Sequence, residues 1–250
     1  MSKAGWFRLA VIALLFGALE LASGMAWINP VSFIRPSKMA IGAYEILLSG
    51  KYAPDIWLTL ESIGWTLLLT SITGLIGGVV LFKLPRLRRV LDPLLTSYYA
   101  VPIFMFYPLF IVFFGLNRIP LVATGFLFSV VAMMVNVLIG LERVPAVLLK
   151  TARVHRMSRF DEIRFITLPA SMPYIFTGLK MAVAYATVAV VAGEFILSGA
   201  GFGYQIAFAY NNFDNVTMYS LMFLLLLIVG VINMLLSSWE QRLHGRWVGR

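Results

Sequence analysis

The chain has 250 residues, 60% of them hydrophobic and 12% charged, whereas a soluble domain carries roughly 25% charged residues. Lipid is therefore the solvent for most of it. The net charge of +9 does not describe a nucleic-acid partner, because the basic residues sit in short segments between apolar runs instead of forming one solvated patch. Without cysteine there is no disulfide, thiol nucleophile or cysteine-ligated metal. His155 and His244 lie in separate polar segments, with no acidic or histidine partner at ligand spacing, so neither a metal site nor a catalytic constellation is expected.

A bilayer core of about 30 Å needs roughly 20 apolar residues, because every backbone polar group must be paired within the helix. The sequence predicts an all-α, polytopic membrane protein with six such helices. The first runs from Leu9 to Trp27. Lys3 and Arg8 before it, and Ala22 and Gly24 within it, also describe a secretory signal peptide; the segment is read as a retained anchor, with residues 1–55 as an anchor and outer segment. The second span, Ile56 to Phe82, carries Glu61 near its outer end and a small-xxx-small pair, Gly74 and Gly78, suited to close helix packing. A basic stretch from Lys83 to Arg89 follows.

The third span, Ser97 to Leu116, is rich in aromatic residues, among them Tyr99 and Phe106, and is interrupted by Pro102 and Pro108. Prolines free backbone carbonyls, which is tolerable where a helix lines a cavity. The fourth, Ile119 to Leu141, holds Asn136 in its inner half, where it suits helix-to-helix hydrogen bonding. The fifth, Tyr174 to Leu197, includes Lys180 within snorkelling reach of the inner face, Tyr185, and Glu194 near the outer end. The sixth runs from Met218 to Trp239, so the spans occupy a core of residues 56–240 with a tail at 241–250. Trp6, Trp27, Trp57, Tyr174, Tyr219 and Trp239 suit the headgroup boundary.

With the N-terminus inside, fifteen Lys and Arg residues fall on the cytoplasmic side and four, Arg35, Lys38, Lys51 and Arg118, fall outside. This asymmetry places both termini in the cytoplasm. It also makes residues 142–169 the longest cytoplasmic connection, ERVPAVLLKTARVHRMSRFDEIRFITLP. Two short helices are expected there, Val147 to His155 and Ser158 to Ile166, joined by a tight corner. Ser158 is placed to cap the second, with Asp161 and Glu162 in its first turn. Val147, Leu148, Ile163 and Ile166 are expected to face the membrane domain, and the arginines and Phe160 a partner.

The spacing of this loop resembles the cytoplasmic signature of binding-protein-dependent ABC importer permeases, Glu-Ala-Ala, three residues, Gly, nine residues, Ile-x-Leu-Pro. Lys150, Thr151 and Ala152 stand at its first three positions, Arg156 at the glycine, and Ile166, Leu168 and Pro169 at its end. PASMPYIFTGLKMAVAYATVAVVAGEF, YPLFIVFFGL and GAGFGY resemble segments of the nitrate, sulfonate and taurine group. The resemblance implies a type I importer permease that forms the pathway for a small solute, an oxyanion, sulfonate or heterocyclic precursor. It implies a second permease copy, identical or different, on two cytoplasmic ABC ATPases, and a periplasmic or lipid-anchored substrate-binding protein. ATP and magnesium would belong to the ATPase, since this sequence has no GxxxxGK[ST] loop. The positions expected to contact it are Lys150, Thr151, Ala152, Arg153, His155, Arg156, Met157, Ser158, Phe160 and Asp161. Pathway candidates are Tyr99, Pro102, Phe106, Asn136, Tyr185 and Glu194. The alternatives are an ion-coupled secondary transporter or channel, which would carry its own ion sites and often an inverted repeat, and an intramembrane enzyme. No nucleophile with a base and no inverted repeat is visible.

Overall fold

The computed structural model describes residues 3–25, 27–29 and 33–248. The side chains of Trp6 and Arg8 and those of residues 241–250, with Arg250 itself, lie outside the described part, and the expectations placed on them with it. The described residues form helices α1 (Lys3–Gly24), α2 (Pro36–Ser49), α3 (Ala53–Lys83), α4 (Pro85–Ser97), α5 (Phe106–Phe114), α6 (Arg118–Glu142), α7 (Ala146–Val154), α8 (Arg159–Glu162), α9 (Leu168–Leu197), α10 (Phe202–Asn211) and α11 (Asn215–Val248). Four stretches are long and apolar enough to cross a membrane: Ala53–Lys83, Arg118–Glu142, Arg159–Leu197 and Asn215–Glu240. In α1 the apolar stretch among the described residues is Ala13–Gly24.

The core is α3, α6 and α9, and small residues bring them together. The buried stripe of α3 reads Thr59, Ser62, Thr66, Thr70, Gly74 and Gly78. A Cβ on Gly74 would lie 2.6 Å from Met133 Cγ, and one on Gly78 2.6 Å from Val137 Cβ, so only glycine lets α6 approach this closely. Gly178 of α9 meets α6 similarly, 2.9 Å from Asn136 Cβ. The hydroxyls in these seams are satisfied locally: Thr66 Oγ1 donates to Ser62 O at 2.8 Å, and Thr70 and Ser129 bond across the α3–α6 seam at 2.7 Å. Outside this core α2 lies along α11, where a Cβ on Gly42 would meet Ser220 Oγ at 2.1 Å.

Two sequence expectations are corrected. The third span is not one helix from Ser97 to Leu116: Pro85–Ala100 and Ile103–Phe114 are inclined at 80°, broken where Pro102 lacks an amide and biases the residue before it away from helix. The second helix of the cytoplasmic loop does not stop at Ile166 before a span beginning at Tyr174. It passes through a π-helical turn, Ile163–Thr167, into α9, giving one path of 39 residues from Arg159 to Leu197. Two further helices, α2 and α10, lie in segments where the sequence predicts no span. Lys180 bonds Glu240 of α11 at 2.5 Å, one residue beyond Trp239.

Candidate functional site

The elbow within residues 142–169 is built by two capping arrangements. At the end of α7, Met157 N donates to Ala152 O and Arg156 N to Arg153 O, both at 3.0 Å, which is the Schellman pattern of hydrogen bonds. That pattern places Arg156 in the left-handed region, with φ 49°, where glycine is the usual residue. Next, Ser158 Oγ accepts from Asp161 N at 3.1 Å and donates to Asp161 Oδ2 at 2.6 Å, starting α8 as expected from the sequence. Between these caps the corner turns without a cis peptide or a glycine.

Side chains on the elbow divide by exposure. Lys150, Thr151, Arg153, His155, Arg156, Ser158 and Phe160 are exposed, Phe160 at 69%, while Met157 and Asp161 are half-buried. Ala152 is 1% exposed, packed inward with Val144, so it supports the elbow from beneath. Val147, Leu148 and Ile163 are 71%, 41% and 52% exposed, contrary to the expectation that they face the membrane domain; only Ile166 of that set is half-buried. α7 is only nine residues long and presents just one buried side chain, Ala152, to the rest of the chain. Its outward face therefore combines apolar and basic groups.

At the break in the third span the aromatic residues converge. Tyr99 and Tyr185 have ring centroids 5.5 Å apart, and Phe128 lies 6.4 Å from Tyr99 and 5.4 Å from Tyr185, with Phe104 against Phe128 at 5.7 Å. Tyr98 donates to Leu127 O at 2.7 Å, which fixes the inner segment onto α6. Tyr99 and Asn136 line one cavity of about 290 Å³ between α4, α6 and α9. Asn136 Nδ2 donates to Ala132 O of its own helix at 2.8 Å and contacts Met181 Sδ at 3.4 Å. The inner end of α4 is tied to α6 by Arg88 and Glu142. Phe106, beyond the break, stacks on Phe110 at 6.5 Å and lies outside this group, while Pro102 makes the break itself.

Glu194 is elsewhere, at the outer end of α9, and is fully buried. Thr59 Oγ1 lies 2.8 Å from both of its oxygens, and Gly203 N donates to Oε2 at 2.9 Å. Thr59 in turn accepts from Phe202 N at 2.8 Å, and Asp55 accepts from Gly201 N at 2.8 Å and Gln205 Nε2 at 2.9 Å. Two carboxylates thus hold the 201–205 turn and the start of α10. Asp55, Thr59 and Gln205 escaped the sequence reading because their partners are more than 130 positions away; the signal on offer was the pair of acids at the outer ends of two apolar spans.

The chain matches the family described as binding-protein-dependent transport system inner membrane component over residues 67–249, which includes the elbow, α6, α9 and the second half of α3. It is 29% identical over 180 residues to a nitrate import permease protein of Leptolyngbya laminosa, covering 72% of this chain and 63% of that protein. A bicarbonate transport system permease protein of Synechococcus elongatus is 29% identical over 198 residues, covering 78% of this chain and 69% of the relative. The chain thus spans less than two thirds of the nitrate permease's length. Among solved structures, the MetNI methionine ABC transporter in an inward-facing conformation superposes with a TM-score of 0.65 at 16% identity, over 76% of this chain and 95% of that one. That likeness shows a shared fold.

Proposed function

Because the chain belongs to the family of binding-protein-dependent transport system inner membrane components, we propose that it is the permease subunit of an ATP-binding-cassette importer, a multi-pass inner-membrane protein that forms half of a path for a small solute. The observation that carries this reading is the exposed elbow of α7 and α8. An outward face of Phe160, Arg153, His155 and Arg156, held by two caps, has the composition of an interface anchor surrounded by charge.

In this reading the partner ATPase binds ATP and magnesium, and this chain performs no catalysis. Its elbow sits in a cleft of the ATPase. Because α8 continues through the π-turn into α9, a tilt of the elbow is carried along one helical path to the outer end of the membrane domain. Two permease copies, identical or paralogous, stand on two ATPases, and a periplasmic or lipid-anchored binding protein delivers the solute. Residues 1–55 form an anchor and outer segment, residues 56–240 the core, and 241–250 a cytoplasmic tail. Tyr99, Asn136 and Tyr185 line the inner part of the path, with Pro102 setting its bend, whereas Glu194 organises its outer end from a buried position. A small oxyanion is the solute class favoured by relatives named for nitrate and bicarbonate.

The test is assembly. The purified chain alone should hydrolyse no ATP, and coexpression with its cassette ATPase should give a complex of two permeases and two ATPases by native mass spectrometry. A stable complex that transports solute without any ATPase subunit would overturn the assignment in favour of an ion-coupled transporter.

A further inference from the structure

A second cavity, of about 450 Å³, opens at the outer end of the molecule, between α3, the α5–α6 turn and the turn after α9. Its polar lining is Tyr107, Asn117, Arg118 and Ser198, with leucine side chains from α3 and α6 behind them. Asn117 is already committed, accepting from Ile119 N at 2.7 Å and donating to Phe114 O. Ser198 is committed too, donating to Ala200 O at 2.7 Å. Tyr107 is different. It is 2% exposed, its ring is packed behind Gly193, and its hydroxyl has no hydrogen-bond partner among the described residues. Its oxygen is not among the fully enclosed unpartnered atoms, so it keeps access at the cavity wall, where a ligand can reach it.

Arg118 has five N–H groups, of which the structure commits one, to Glu61. The free groups of the lining, the remaining Arg118 N–H groups and the Tyr107 hydroxyl, can donate, and the lining itself holds no carboxylate, the nearby ones being Glu61 on Arg118 and Glu194 behind Tyr107. A ligand that only accepts hydrogen bonds and carries negative charge fits such a set. The volume corresponds to about fifteen waters at roughly 30 Å³ each, so a small anion enters with part of its hydration.

We propose that this outer cavity binds a small oxyanion, of the nitrate, bicarbonate or sulfonate kind, between the Arg118 guanidinium and the Tyr107 hydroxyl, with Glu61 as the resident carboxylate that competes for Arg118. As a stop on a transport route the site rests on the permease reading above. As an anion site it stands on its own geometry.

The experiment uses the full chain in phosphatidylcholine nanodiscs, with sodium nitrate and sodium methanesulfonate as probes against sodium chloride at constant ionic strength. Thermal unfolding midpoints should rise saturably with at least one oxyanion. Arg118→Gln should raise the half-saturating concentration about tenfold or more, and Tyr107→Phe several-fold, as expected for loss of hydrogen bonds to a charged group. Glu61→Gln should lower it, a gain that a misfolded variant does not produce. An unsaturable response, or equal responses in wild type and Arg118→Gln, would overturn the site. In phosphatidylglycerol nanodiscs, a lost nitrate response together with a retained lipid that Arg118→Gln releases would assign the cavity to a headgroup and overturn the free-anion proposal. Failure here with normal ATPase assembly removes only this site, and anion binding without assembly removes only the permease reading.

Discussion

The carboxylate of Glu194 is enclosed and makes no ion pair among the described residues, so the groups that donate to it decide whether it can stay there. Truncation to alanine leaves the Gly203 amide without its acceptor and the Thr59 hydroxyl with only the Asp55 carbonyl at 3.1 Å, at a cost of about 2 to 3 kcal/mol. For a chain of this length that corresponds to a thermal midpoint lower by roughly 5 to 10 °C. Glu194→Gln keeps an acceptor in place and should lose less than half as much; an alanine variant melting with the wild type would show that the turn is held by packing alone. Arg156 poses the opposite case. Its φ of 49° suits glycine, so Arg156→Gly should stabilise the elbow by about 0.5 to 1 kcal/mol without altering the Schellman bonds. Slower hydrogen exchange at the Met157 amide is the corresponding signature.

For the elements, the sharpest expectation concerns the elbow. Replacing Phe160 with alanine and Arg156 with glutamate should weaken ATPase association while leaving membrane insertion intact, the phenylalanine alone contributing about 2 kcal/mol or more as an interface anchor. The charge reversal should matter more at low salt, since exposed charges are screened over about 8 Å at physiological ionic strength. Copurification of the double variant with the ATPase in wild-type yield would sink the docking role. The caps of this elbow were legible in the sequence, because Ser158 with Asp161 is a local pattern and the corner needs a residue at positive φ four positions after Ala152. The spans of α3 and α6 were legible for a similar reason, being uninterrupted apolar runs. Others were not. α4 combines Arg86, Arg88 and Arg89 with apolar residues and reads as a loop, though its apolar positions share one face. α2 carries the signals of a helix, Pro36 at its first position and Gly50 with φ 63° after its last, but at 14 residues it is too short to read as a span. The Glu194 cluster joins residues far apart in sequence, and no local spacing encodes it.

For the whole molecule, the charge asymmetry of fifteen against four predicts the orientation. A reporter inserted near Asn212, in the turn between α10 and α11, should read as outside the cell, and one fused after Arg250 as cytoplasmic. A cytoplasmic signal from the Asn212 site would refute the topology. The core of α3, α6 and α9 is packed so closely at its glycines that an added Cβ would come within 3 Å of a neighbour, so movement on the scale of the molecule is expected in what is attached to it. The bent third span is such an attachment, held to α6 near its middle by Tyr98 and at its inner end by Arg88.

That arrangement has the mechanics of a lever with a fulcrum and a catch. At 1.5 Å per residue, α4 is an arm of about 20 Å measured from the break at Pro102, so a rotation of about 10° there sweeps the far tip through roughly 3.5 Å. A displacement of that size exceeds the reach of a single ion pair. A swing of that size therefore begins by parting Arg88 from Glu142, a half-exposed pair that opposes it only weakly.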